Sequence, residues 1–220
     1  MNAPSRKFEW ITRAGLILIF AAIAGAFAWS RLGGRNLPLP VIGKLSDFSL
    51  TDQDGETVTL AGLRGKVWVA DVIFTRCPGP CAKMTKHLAE VQAALPADSP
   101  LRIVTLTSDP DYDTPPVLKR YAAHFGADSN RWTFLTGDKQ KLRHLAVNDF
   151  KFVVVEKAPD DREIPDDLFI HSTWFVLVDQ QGQVRGWVDG QGQLHAYFDS
   201  DDRSARERLL SAMSQLLHEG

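Results

Sequence analysis

The longest apolar stretch comes first. Residues 14 to 29, AGLILIFAAIAGAFAW, carry no charge, with Arg6, Lys7 and Arg13 before them and Arg31 and Arg35 after. A bilayer takes about 20 apolar residues and about 17 at the least. The run reaches that length with help from Ile11 and Thr12 or Ser30, with Arg13 snorkelling. It predicts a cytoplasmic N-terminus and a single membrane anchor within residues 1–31. The alternatives are a cleaved signal peptide, since Ala26-Phe27-Ala28 has the small-x-small form of a cleavage site, and a buried core helix. Three positive charges before the run and two after it weakly favour export of the chain beyond it. Either of the first two readings puts the remaining chain on the periplasmic or another extracytoplasmic side. Gly33-Gly34, Pro38 and Pro40 mark residues 32–46 as a linker. A folded domain is expected over 47–220.

Within that domain the period alternates between strand and helix. DFSLTDQDGETVTL reads as a hairpin, with Phe48, Leu50, Val58 and Leu60 alternating around Asp54-Gly55. KVWVADVIF (66–74) is an apolar run of strand length, suited to a strand covered on both faces. Met84, Leu88, Val91 and Leu95 recur at helical spacing, closed by Pro96. LRIVTLTS (101–108) is a strand. TPPVLKRYAAHFG is a helix opened by Pro115-Pro116 and stopped by Gly126. WTFLTG is a short strand, and DKQKLRHLAVNDF is a helix capped by Asp138. KFVVVEK (151–157) is a strand, followed by an acidic loop and a hairpin turning at Gly182. DDRSARERLLSAMSQLLHE closes the chain as an amphipathic helix. Strands alternating with helices, then a hairpin, predict an α/β sandwich with a mixed sheet and flanking helices.

Composition changes little in this picture. Of 220 residues, 44% are hydrophobic and 24% charged, with a formal net charge of −2, which is ordinary for a globular protein. No basic run with interleaved aromatics points to nucleic acid.

The cysteines change it a great deal. The chain has two, Cys77 and Cys81, inside IFTRCPGPCAKMTKHL. A pair separated by three residues suits redox or metal chemistry better than a structural crosslink. Pro80 is tolerated in the first turn of a helix but not inside one, so the helix should start there, with Cys81 in its first turn and Cys77 in the loop before it. The helix dipole favours thiolate at Cys81 and secondarily at Cys77. Two thiolates prefer Cu(I), with zinc as a competitor, and leave room for a third ligand. Among the six histidines, His87 turns to another helix face, His124 and His144 lie in helical patterns, His195 sits in a Gly/Gln-rich stretch and His218 is near the end. His171 follows the acidic loop and precedes STWFVLV. It is either a third ligand or a strand-end histidine satisfied by backbone.

VIFTRCPGPC, TLTSDPDYDTPPVLKRYAAHFG, RWTFLTGD and IHSTWFVLVDQQGQVRG together resemble, in order and spacing, the Sco/SenC family of copper-binding proteins over roughly residues 45 to 190. The resemblance implies a thioredoxin-like fold on a membrane anchor and a metal site of Cys77, Cys81 and His171. It implies copper as cofactor, held as Cu(I) or alternatively Cu(II). The implied role is assembly of the copper centre of cytochrome c oxidase, by copper delivery, by reduction of the target's cysteines, or both. The implied partner is a copper-accepting oxidase subunit. Three positions depart from the family's usual pattern: Ala82 replaces a common proline, Ile170 a common aspartate, and Pro78-Gly79-Pro80 is an unusual motif interior. An acidic residue before the histidine would orient the imidazole.

The rival reading is a thiol-disulfide oxidoreductase that uses Cys77 and Cys81 as a redox pair and does not need His171. A thiol peroxidase with Thr75 beside the reactive cysteine is a third. Asp109, Asp111 and Asp113 read as turn and cap chemistry. Arg76 reads as a thiolate stabiliser or a surface charge. The run Asp160, Asp161, Glu163, Asp166 and Asp167 reads as a solvated loop; alternatively it docks a basic partner or moves His171 on and off the metal. Trp174 and Trp187 read as packing residues.

Overall fold

A computed structural model describes residues 15–25, 38–96 and 98–219. Residues 15–25 form helix α1, with Leu16, Ile17, Leu18, Ile19, Phe20 and Ile23 exposed. Among the described residues no helix is long and apolar enough to cross a membrane. The anchor expected over 14–29 extends past the described residues at both ends.

The second compact unit begins at Leu39. Here the expected linker is corrected. Strand β1 (Val41–Lys44) pairs antiparallel with β10 (Gln183–Arg185) at the edge of the main sheet. Pro38 and Pro40 precede the strand, and an edge tolerates such neighbours. Leu45 is buried behind β1. The Leu39 carbonyl accepts from Arg185 Nε at 2.9 Å, and the other face of that buried guanidinium pairs with Asp179 at 2.9 Å.

The main sheet has seven strands. Its path is β1, β10, β9 (Trp174–Val178), β4 (Trp68–Ile73), β5 (Arg102–Thr107) and β6 (Trp132–Leu135), with β13 (Phe198–Asp199) also paired to β9. β4, β5 and β6 run parallel, and β9 lies antiparallel to β4. All six residues of β4 are buried, because the apolar run has cover on both sides. On one side Trp68, Ala70 and Val72 pack with Leu60, Leu63, Phe150 and Phe152. On the other, Val67 and Val69 meet Met84, Leu88, Leu209 and Met213. The mixed α/β sandwich expected from the pattern is therefore present.

Between the sheet strands lie α3 (Pro80–Ala94), α4 (Pro115–His124) and α5 (Lys139–Arg143), and α6 (Arg203–His218) closes the chain. The expected first hairpin is β2 (Ser49–Thr51) with β3 (Thr57–Thr59), followed by the short α2 (Leu60–Leu63). Asp138 caps α5 through the Lys141 amide, but α5 continues as a π-helical segment, His144–Asp149. β11 (Trp187–Val188), at the far end of the expected hairpin, pairs instead with β12 (Leu194–His195), where no strand was expected.

One further difference positions the site. The segment 151–157 does not extend the main sheet. β7 (Val154–Glu156) pairs only with β8 (Phe169–His171), as a separate two-stranded ribbon.

A chain shortened to begin at residue 47 should be less stable than one beginning at residue 38. It exposes the pocket of Leu45, about 2 kcal/mol, and strips a buried arginine of a carbonyl, about 1–3 kcal/mol. Urea unfolding should show a loss of roughly 3 to 5 kcal/mol; equal midpoints would show that β1 contributes nothing.

Candidate metal centre

β4 delivers the chain to the carboxyl edge of the sheet, and α3 carries it away. The loop between them holds Cys77, and the first turn of α3 holds Cys81. Pro80 occupies the start of α3 as expected. Both cysteines are free; Cys77 is half-buried and Cys81 buried. His171 reaches them from the end of β8, 90 positions after Cys81, with its Nε2 at 3.0 Å from Cys81 Sγ. Cys77 Sγ lies 4.0 Å from the same nitrogen. The three donor atoms fall within 4.8 Å of one another.

The imidazole is aimed by backbone. His171 Nδ1 lies 3.0 Å from the Ser172 carbonyl oxygen, so Nδ1 carries a proton; in the neutral ring Nε2 presents a lone pair to the sulfurs, and in the imidazolium it donates to the Cys77 thiolate. The ring also rests edge-on against Phe74 at 5.9 Å. A carbonyl thus supplies the orientation that an acidic neighbour would give. Ile170 is 53% exposed and, one residue away on the strand, points to the opposite face. Its side chain therefore leaves the imidazole undisturbed.

The two thiols are unequal, in the reverse sense to the helix-dipole expectation. A hydrogen bond from Cys81 draws Cys77 down to about 4; partial burial opposes this, while His171 and the amides of Cys81 and Gly79 assist. Burial, followed by the hydrogen bond to Cys77 and its charge, pushes Cys81 far above the usual thiol range. Burial of Cys81 outweighs its place in the helix's first turn. Cys77 is the thiolate and Cys81 holds the proton. Burial by itself would lower the His171 pKa, but the hydrogen bond to Cys77, the Ser172 carbonyl, and the charges of Cys77 and Asp71 raise it overall. Cys81 is the nearer sulfur; Cys77 has the larger electrostatic effect because it carries the charge.

The aspartates of SDPDYDTP do more than make a turn. Asp113 is fully buried and makes no side-chain cap to α4, whose N-cap residue is Thr114. Its carboxylate accepts from the Thr75 amide at 3.0 Å and from the hydroxyls of Thr75 and Thr107. This ties the segment just before Cys77 to the end of β5. The Thr75 hydroxyl is thereby committed to Asp113 rather than to a sulfur. Arg76 likewise turns to carboxylates, with Nη2 at 2.7 Å from Asp109 and Nη1 at 3.4 Å from Asp166. Asp111 is exposed and lies 3.9 Å from Lys139.

Asp71 is the residue that sequence reasoning missed. It stands in β4 with no exposure, and neither carboxylate oxygen makes a well-formed hydrogen bond, Thr105 offering only a weak one. Burial raises it to about 7, against the opposing influence of Thr105 and of the His171 charge. A single acid inside VWVADVIF was the available signal. The remaining histidines stay away from the site: His195 pairs with Asp189 at 3.0 Å and stacks on Trp187, and His144 lies near Asp149 and Ser46.

Comparison with known proteins agrees with this geometry. The SCO1/SenC family model matches residues 43–201. The chain belongs to the SCO1/SenC family. A SCO1 protein homolog of Bacillus subtilis is 35% identical over 173 residues, which span 78% of this chain and 82% of that one. BsSco, a Sco-family cytochrome c oxidase assembly protein with a disulfide switch, superposes with a TM-score of 0.66 at 28% identity, over 82% of this chain and 98% of that one. ScoI of Bradyrhizobium japonicum, solved with copper bound, gives a TM-score of 0.61 at 22% identity, over 80% and 99% of the two chains; that likeness concerns the fold. The thioredoxin-like sandwich of this Sco chain is thus shared with solved members of its family.

Asp71 has a pH signature. Its ordinary value of 3.8 rises to about 7 on folding, so between those values the folded state keeps a proton that the unfolded chain has lost. This group's contribution therefore makes stability fall with rising pH across that window, by about 4 kcal/mol in all, and stay level above it. Asp71→Asn should remove the slope. In urea unfolding of the reduced, metal-free protein, the variant should gain on wild type from pH 4 to pH 7; a pH-independent difference would mean Asp71 does not titrate there.

Proposed function

We propose that this Sco-family protein is an exported copper chaperone that carries Cu(I) between Cys77, Cys81 and His171 and serves assembly of the copper centre of cytochrome c oxidase. The observation that carries this reading is the convergence of two sulfurs and one imidazole nitrogen within 4.8 Å. The donor set suits the cargo: two soft thiolates and a borderline imidazole favour Cu(I). The carbonyl at His171 Nδ1 keeps Nε2 free for an ion. Loading displaces the Cys81 proton, so affinity should fall as pH drops. The half-buried Cys77 is the sulfur that a partner can reach first, which suits hand-over by ligand exchange to a copper-accepting oxidase subunit.

Residues 1–31 would hold the protein at the membrane, with the thioredoxin-like domain on the extracytoplasmic side. The exposed apolar side chains of residues 16–20 support that reading.

A second reading rests on the unequal thiols. The Cys77 thiolate would attack a disulfide of an exported protein and form a mixed disulfide. That step releases the partner's first sulfur as a thiolate, which takes a proton from water; Cys81 would then attack Cys77 Sγ and displace the partner's other sulfur, to which the Cys81 proton passes. The partner leaves as a dithiol, and the two electrons come from the Cys77–Cys81 pair, which becomes a disulfide and no longer holds Cu(I).

His171→Ala separates the two. Competition with a Cu(I) chelator should show affinity reduced by at least about tenfold, the scale on which metal sites respond to altered surroundings, while disulfide reductase activity persists. Unchanged copper affinity would defeat the three-ligand site.

A further inference from the structure

The ribbon that carries His171 is joined to the body in an unusual way. β7 and β8 pair only with each other, so no backbone ladder links them to the main sheet. A two-stranded ribbon by itself is marginally stable in water. Side chains must hold it down. Phe169 and Val154 are buried beneath it, and Phe169 meets Phe74 edge-on at 5.2 Å. Two ion pairs reach it from outside: Lys139 to Glu156 at 3.1 Å and Arg76 to Asp166 at 3.4 Å.

The second pair comes from the residue beside Cys77. The Arg76 guanidinium is fixed on the body side by Asp109 at 2.7 Å and lies over the Tyr112 ring at 4.2 Å. Asp109 is itself tied through its amide to the Thr107 hydroxyl at 2.9 Å. One arm of this anchored cation remains for Asp166, which lies in the connection between β7 and β8. Arg76 therefore bridges the two elements that supply the sulfurs and the imidazole.

We propose that Arg76 is a positioning residue whose ion pair with Asp166 latches the His171 ribbon onto the cysteine loop and so sets how long copper is retained. This rests on the copper-carrying function proposed above. With the latch closed, ribbon and loop move together and all three donors stay assembled. With it open, the ribbon lifts more often, His171 leaves, and copper remains on two sulfurs, from which it is readily taken.

Asp166→Asn is the direct test, because Asp166 is half exposed and its loss leaves the Asp109 anchor intact. Two measurements are made on wild type, Asp166→Asn, Arg76→Gln, Asp166→Glu and Arg76→Gln/Asp166→Asn. The first is amide hydrogen exchange over residues 154–171 in the reduced, metal-free protein. The second is the rate of Cu(I) release to a competing chelator. Asp166→Asn should quicken both by about two- to fivefold, the scale of a partly exposed ion pair, and Asp166→Glu should restore them. The double variant should add nothing over Arg76→Gln, since both remove one contact. Salt should quicken release from wild type but not from Asp166→Asn. In a His171→Ala background, Asp166→Asn should leave copper release unchanged. The proposal is overturned if Asp166→Asn leaves ribbon exchange and copper release at wild-type rates, or if it quickens release equally without His171. A wild type that takes up no Cu(I) refutes the copper-carrying function, and ribbon exchange alone then decides the latch.

Discussion

A hydrogen bond of 3.0 Å from His171 Nδ1 to the Ser172 carbonyl determines what the Cys77–Cys81 pair can do. It commits one ring nitrogen to the backbone and turns the other toward two sulfurs. Were the ring free to rotate about its bond to the strand, the site would be a dithiol with a histidine nearby. The contact works because β8 ends at His171 and the chain bends at once into β9. The backbone is therefore ordered on both sides of the ring, and Phe74 limits the ring from its edge.

Below that contact the electrostatics are uneven because the fold treats the two sulfurs differently. The sheet buries Cys81 and leaves Cys77 half open, so the pair holds its proton on the inner sulfur and its charge on the outer one. The charge sits where a partner can approach. The buried carboxyl of Asp71 adds a second acid whose state depends on the same charges, since His171 and Asp71 each shift the other. The proposed copper uptake and disulfide chemistry would thus be two uses of one set of ionisable groups, with the occupant of the sulfurs deciding which is available.

Much of the fold is legible in the chain. β4, β5, the helix from Pro80, the helix from Pro115 and the hairpin turning at Gly182 each carry a strong local period or a proline or glycine that admits few conformations. The site is legible in part. Cys77 and Cys81 stand out by spacing, whereas His171 becomes a firm candidate only through the family resemblance, because no local signal reports a partner 90 positions away. β1 escapes a sequence reading since Pro38 and Pro40 mark a linker as readily as an edge strand. The isolation of β7 and β8 escapes it because a three-residue strand reads alike in any sheet. The thiol order comes out reversed because helix position is visible in sequence and burial is not. Asp113 and Arg76 read as turn and surface residues, since their partners, Thr75 and Thr107 for one and Asp109 and Asp166 for the other, come together only in three dimensions.

The proposed copper carriage depends on the imidazole binding the same ion as the two sulfurs. X-ray absorption at the copper edge of the reduced, copper-loaded wild-type protein measures that directly. The account predicts two sulfur scatterers and one imidazole nitrogen about each Cu(I), with the imidazole signal lost in His171→Ala. A spectrum of two sulfurs without imidazole, identical in wild type and variant, would contradict it.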